Sequence, residues 1–221
     1  MGILSLSARL VTNMAVLVGS SMILYGILDS RSHVYKLTTD GDCLLWGTTT
    51  EGSQHFLTGP SSNCRYAVGA AIVSTLMALL TSIRFIYRAK QGTPDRHSWT
   101  VLCDVFFMIC MLIVAIVTTI VISAGLLVFC KNLSKAVLHK TNCKDIYLTK
   151  KSGDVAGHYA WHNSLSVAQI GSWIVSLGWF VHMILAVVDY CIYRKQRSSA
   201  ARELNRQSGD RVAILDEPEP S

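Results

Sequence analysis

The chain has 221 residues, 51% of them apolar and 15% charged, with a formal net charge of +6. A soluble domain carries about 25% charged residues, and here the apolar residues gather in four runs, each near the ~20 needed to cross a hydrocarbon core as a helix. A soluble enzyme and a nucleic-acid binder are both excluded, because the basic residues sit beside the apolar runs and each segment between them is shorter than an ordinary single-core domain.

In chain order, residues 1–9 form a short N-terminus. The first span, 10–28, is longer than a signal-peptide h-region and lacks a small-x-small cleavage site, so it is expected to stay as an uncleaved signal anchor. Leu6 stands where the myristoylation pattern wants Ser or Thr. A loop over 29–65 holds Cys43 and Cys64 and a few anchors (Leu44, Leu45, Trp46, Phe56, Leu57) that suit short strands, then the turn signal Gly59-Pro60-Ser61-Ser62. Span two, 66–87, leads through the cytosolic loop 88–100, with the turn Gly92-Thr93-Pro94-Asp95, into span three, 101–129. The stretch Val105–Phe129 within it carries no charge. The lysine-rich loop 130–164 holds Cys130 and Cys143 and precedes span four, 165–193. The polar tail, 194–221, ends in Asp216-Glu217-Pro218-Glu219-Pro220-Ser221 and is expected to be disordered.

The fold class is therefore an all-α membrane protein, a four-transmembrane-helix bundle with two disulfide-stapled extracellular or lumenal loops. An even number of spans puts both termini on one side. The Lys/Arg distribution is nearly a tie, and the cysteines decide it: each long loop carries two, and neither the cytosolic loop nor the tail has one. Disulfides persist in oxidising compartments, so the termini are expected in the cytosol. Cys43–Cys64 with Cys130–Cys143 is the simplest of three connectivities, and the crossed ones stay open. Cys103 and Cys191, near the cytosolic span ends, are candidate palmitoylation sites, although a packed thiol is the commoner outcome; Cys110 reads as core.

Helices in lipid associate through small residues and polar links. Ser164, Ala168, Ser172 and Ser176 form such a stripe on span four, with Ser74, Ala78 and Ser82 on span two and Ala15 and Gly19 on span one. Ionisable residues inside spans are functional candidates. Arg84, Asp104 and Asp189 all lie near the cytosolic ends, where an ion clasp is expected, and His182 is the one deep ionisable side chain. His158 and His162 have metal-ligand spacing, but no third ligand is fixed and an aromatic belt with Tyr159 and Trp161 accounts for them. The sequon Asn132-Leu133-Ser134 lies almost on the membrane, so occupancy is not expected. Asp210 with Ile214 and Leu215 forms an acidic dileucine-like sorting pattern.

Gly41-Asp42-Cys43-Leu44-Leu45, Cys64-Arg65 opening span two, Cys130 closing span three and Ala168-Gln169-Ile170-Gly171-Ser172-Trp173 in span four together resemble the transmembrane protein 179 family, including its B branch. The resemblance covers most of residues 10–193 and not the tail. It implies four spans with cytosolic termini, residence in the plasma membrane or secretory granules, and no reaction. Claudins share a stapled first loop, but Trp46 does not sit in their Gly-Leu-Trp pattern; tetraspanins fit poorly, since the second loop lacks Cys-Cys-Gly.

The expected function is a scaffold or accessory subunit, not an enzyme, with no cofactor. Its expected partners are membrane lipids, a membrane or extracellular protein, and a second copy as a homo-oligomer, with no nucleic acid. The expected residence is the plasma membrane or a secretory or endosomal vesicle membrane. The alternative is a small oligomeric channel or transporter with a path near His182 and Asp189.

Overall fold

A computed structural model describes residues 3–35, 43–49, 56–91, 98–136 and 160–215. Its elements are α1 (Ile3–Tyr35), β1 (Cys43–Thr49), β2 (Phe56–Gly59), α2 (Ser61–Gln91), α3 (Ser98–Ala136) and α4 (Ala160–Leu215). Among the described residues, four stretches are long and apolar enough to cross a membrane: Leu6–Arg31, Ser61–Tyr87, Leu102–Asn132 and His162–Ser199. The chain is a four-span integral membrane protein.

Each helix buries one seam with alternating steps of three and four residues. On α1 the seam is Arg9, Asn13, Val16, Ser20, Ile23, Ile27 and Ser30; on α2 it runs from Cys64 through Ala71 and Ala78 to Phe85. On α3 it runs from Met108 through Ala115 and Ile122 to Phe129, and on α4 from Leu165 through Ser172 and Trp179 to Ala186. Such a repeat averages 3.5 residues, the period at which helices wrap as left-handed bundles. The opposite faces are large and apolar, as with Ile83, Phe106, Ile120 and Leu177, and meet lipid.

α1 and α4 pack antiparallel and share the most extensive contact; α2 lies against α1, α3 lies against α4, and α2 touches α3 more lightly. Glycines bring the α1 and α4 backbones together: a Cβ on Gly19 would stand 2.8 Å from the Gly171 carbonyl oxygen, and one on Gly171 2.6 Å from that of Gly19. Gly26 sits against Ser164 and Ala168, and Gly178 against Val16. Polar links lock the rest of the bundle. Asn13 Nδ2 donates to Ser82 Oγ (2.8 Å), Thr119 Oγ1 donates to the Ser172 carbonyl (3.0 Å) and lies 2.8 Å from Ser176 Oγ. Ser164 donates to the Asp29 carboxylate.

The small stripe of span four thus faces inward. It does not follow the straight i+4 line read from the sequence, because four residues turn 400° and the line drifts 40° per step at 3.6 residues per turn. The buried seam steps instead through Leu165, Ala168, Ser172, Val175 and Trp179. Two other expectations are corrected. Cys110 is exposed on the lipid face and is not core. The expected disordered tail is also helical as far as Leu215, since Ala200, Ala201, Arg202, Glu203 and Leu204 are strong helix formers and no proline intervenes before Pro218.

At the end of the bundle away from the termini, β1 and β2 form an antiparallel hairpin whose register shifts between Cys43 and Thr48. Trp46 lies in that irregularity at φ 66°, a backbone region rare for aromatic residues and usual at bulges. Gly59, the register partner of Cys43, is required beside the irregularity, because a Cβ there would fall 1.9 Å from the Leu45 carbonyl oxygen. Leu45 is fully buried, and Trp46 Nε1 would stand 2.8 Å from a Cβ on Gly125, so α3 needs glycine where the hairpin docks.

A disulfide joins Cys43 in β1 to Cys64 in the first turn of α2, 21 positions along the chain. Cys130 is disulfide-bonded as well; Cys143, its expected partner, lies outside the described residues. Cys43→Ser is expected to cost about 3 kcal/mol, the chain-entropy value for a loop of this size. The check is a denaturation midpoint that dithiothreitol lowers more in the native sequence than in the variant.

Asn132 Nδ2 donates to the Gly47 carbonyl (3.2 Å) and so ties α3 to the hairpin. The amide nitrogen a glycosyltransferase would modify is thus engaged, and endoglycosidase treatment should leave the protein's gel mobility unchanged.

Candidate functional site

Ionisable side chains gather at the termini end of the bundle. Arg9, one turn before Asn13 on the buried seam of α1, has a side chain only 3% exposed. Its Nη2 donates to Asp189 Oδ2 (2.7 Å) and to the Leu185 carbonyl (3.2 Å) of α4. The guanidinium carbon lies 4.6 Å from the centroid of the Phe85 ring, within the range of a cation–π contact. Phe85 stacks on His182 with centroids 6.5 Å apart and planes at 17°, and His182 meets Trp179 at 5.6 Å. Asp189, Arg9, Phe85, His182 and Trp179 therefore form one continuous column from the span end into the core.

Beside it, Arg84 of α2 pairs with Asp104 of α3. This pair is different in kind, since the Arg84 side chain is 47% exposed. The clasp expected among Arg84, Asp104 and Asp189 is thus two separate pairs. Asp189 belongs to Arg9, the last residue of the short N-terminus before span one. Arg9 lies outside the apolar run that marked span one, so hydropathy hid it; its four-residue offset from Asn13 was the available signal.

A cleft of about 170 Å³ opens between α2 and α3 at this end, and both ion pairs contribute to its lining. Met77, Leu80 and Thr81 form its α2 wall and Phe107 and Met108 its α3 wall, with Phe85 and Ala186 completing the lining. His182, stacked on Phe85, is fully buried, and neither ring nitrogen has a hydrogen-bond partner among the described residues. Midway through the bundle, the space among Ile23, Ala71, Ser74, Ala115, Thr118 and Ser172 is too small for a water molecule.

The other sequence candidates lie apart from it. Cys103 and Cys191 are free, exposed thiols. Asp210, Ile214 and Leu215 fall in the last turns of α4. His162 Nδ1 lies 3.3 Å from Ser166 Oγ, while His158 is outside the described residues. No group of three potential metal ligands occurs among the described residues.

Comparison with known proteins gives one result of broad coverage. A family model described as the Transmembrane protein 179/179B Claudin domain matches residues 7–214. It takes in the stapled hairpin and most of the tail, and the position of Trp46 does not separate the chain from a claudin domain. No solved structure matches the chain.

Proposed function

The chain belongs to the Transmembrane protein 179/179B Claudin domain family, and on that premise we propose that it acts as a non-enzymatic scaffold or accessory subunit through lateral and extracellular protein contacts. The observation that carries this reading is tight packing among the described residues: at mid-bundle the space among Ile23, Ala71, Ser74, Ala115, Thr118 and Ser172 holds no water-sized volume. A bundle packed in this way works through its surfaces. Among the described residues two stand out: the lipid-facing apolar faces and the hairpin, where Trp46 is 37% exposed.

The hairpin end faces the lumen or exterior and both termini face the cytosol. The distribution of cysteine chemistry supports this, with Cys43, Cys64 and Cys130 oxidised toward one end and Cys103 and Cys191 free toward the other. Cys103 and Cys191 would then be open to acylation, and Asp210, Ile214 and Leu215 to sorting machinery. The protein would reside in the plasma membrane or in secretory or endosomal vesicles.

The second reading is transport, favoured by buried His182, whose ring nitrogens have no partner among the described residues and which stacks on Phe85 of the cleft lining. Affinity purification from native membranes, paired with proton and ion flux in liposomes, separates the two. One stable partner complex without flux is the expected result. Flux that disappears in His182→Ala or Asp189→Asn would establish transport instead.

A further inference from the structure

We propose that the cleft between α2 and α3 is a binding site for one zwitterionic phospholipid, its headgroup against Arg84 and Asp104 and one acyl chain along Met77, Leu80 and Phe107. The first reason is the polarity profile. Arg84 lies three residues inside the end of its span at Tyr87, and Asp104 two residues inside the start of its span at Leu102, so this pair stands at headgroup level. Met77 is seven residues deeper on α2, about 10 Å at 1.5 Å per residue, and the lining there is apolar. A ligand must be charged at the span end and apolar below it, which is a lipid's profile and not that of a soluble metabolite.

The second reason is size and access. A cleft of about 170 Å³ compares with the ~150 Å³ apolar cavity known to accept benzene. It takes part of a headgroup and a length of one chain, so the remainder must stay in the bilayer, and the cleft must open sideways. It does: Leu80 on the α2 lip is 57% exposed, the Arg84 side chain is 47% exposed, and α2 touches α3 more lightly than it touches α1.

The third reason is charge. The lining holds two guanidiniums, of Arg9 and Arg84, and two carboxylates, of Asp104 and Asp189, which sum to zero. Arg84 offers a fork of N–H donors suited to a phosphate, while the carboxylates suit a headgroup cation and disfavour a net negative headgroup.

The test is native mass spectrometry of the full chain released from detergent after incubation with phosphatidylcholine, phosphatidylethanolamine or phosphatidylglycerol. One molecule of either zwitterionic lipid should be retained per chain, at least fivefold over phosphatidylglycerol. Arg84→Gln, on an exposed side chain, should lower that retention at least fivefold. Met108→Trp, which fills the cleft, should abolish it, while Ile113→Trp on the lipid face should not. Monodisperse elution and an intact Cys43–Cys64 bridge certify folding, and if Met108→Trp fails that check, Arg84→Gln decides. Equal retention of all three lipids, preference for phosphatidylglycerol, or retention unchanged in Arg84→Gln would overturn the proposal.

Discussion

Asp189→Ala should lower the stability of the bundle by about 3–5 kcal/mol, the cost of removing one member of a buried ion pair, whereas Asp104→Ala should cost no more than about 1 kcal/mol. The two carboxylates have equal side-chain exposure, 19% each, so the contrast arises from their partners. Arg9 is 3% exposed and cannot reach water when its carboxylate is lost; Arg84, at 47%, turns outward to the headgroups. Arg9 also carries the Phe85 ring and the Leu185 carbonyl, so loss of Asp189 disturbs three helices. The double variant Arg9→Leu/Asp189→Leu should regain most of the loss, because apolar replacement of a buried pair is often neutral. Denaturation midpoints of the purified protein check all three, and equal losses in the two single variants would remove the distinction between the pairs.

The second large effect lies at the α1–α4 contact. Gly26→Ala should cost about 3 kcal/mol, the upper end of ordinary overpacking. The added methyl would stand 2.2 Å from the Ser164 carbonyl oxygen and 2.8 Å from the Ala168 Cβ. Backbone cannot rotate out of the way as a side chain does, so the two helices must separate along their length. Gly69→Ala is the matched control: nothing lies within 4 Å of its Cβ, and the better helix former should leave stability unchanged or raise it by up to about 1 kcal/mol. The same midpoints serve as the check, with loss of α1–α4 cysteine cross-linking in Gly26→Ala as a second readout. Equal effects at Gly26 and Gly69 would mean that the helices do not approach this closely.

These effects mark different depths of legibility in the sequence. The four spans come from composition alone, since backbone groups in lipid must be satisfied within their own segment and only a long apolar helix does that. The hairpin was also legible, because Leu44, Leu45, Trp46, Phe56 and Leu57 are apolar anchors in an otherwise polar loop before Gly59-Pro60. The seams were harder to read. Lipid and protein interior are both apolar, so hydropathy does not tell the buried face of a span from its outer face. The thiol of Cys110 was assigned to the wrong side for that reason. Small and polar residues carry the signal instead, and they mark a face correctly only when read at alternating three- and four-residue steps.

By itself, the sequence determined that this is a four-span membrane protein with cysteines placed to staple its loops, because chain length, apolar run length and cysteine position are local properties. The tertiary structure alone decided that Arg9 and not Arg84 holds Asp189, across 180 positions of chain, and that α2 and α3 part to leave a charged cleft. Opposite charges near span ends can pair in several ways, and only the register of four packed helices selects among them.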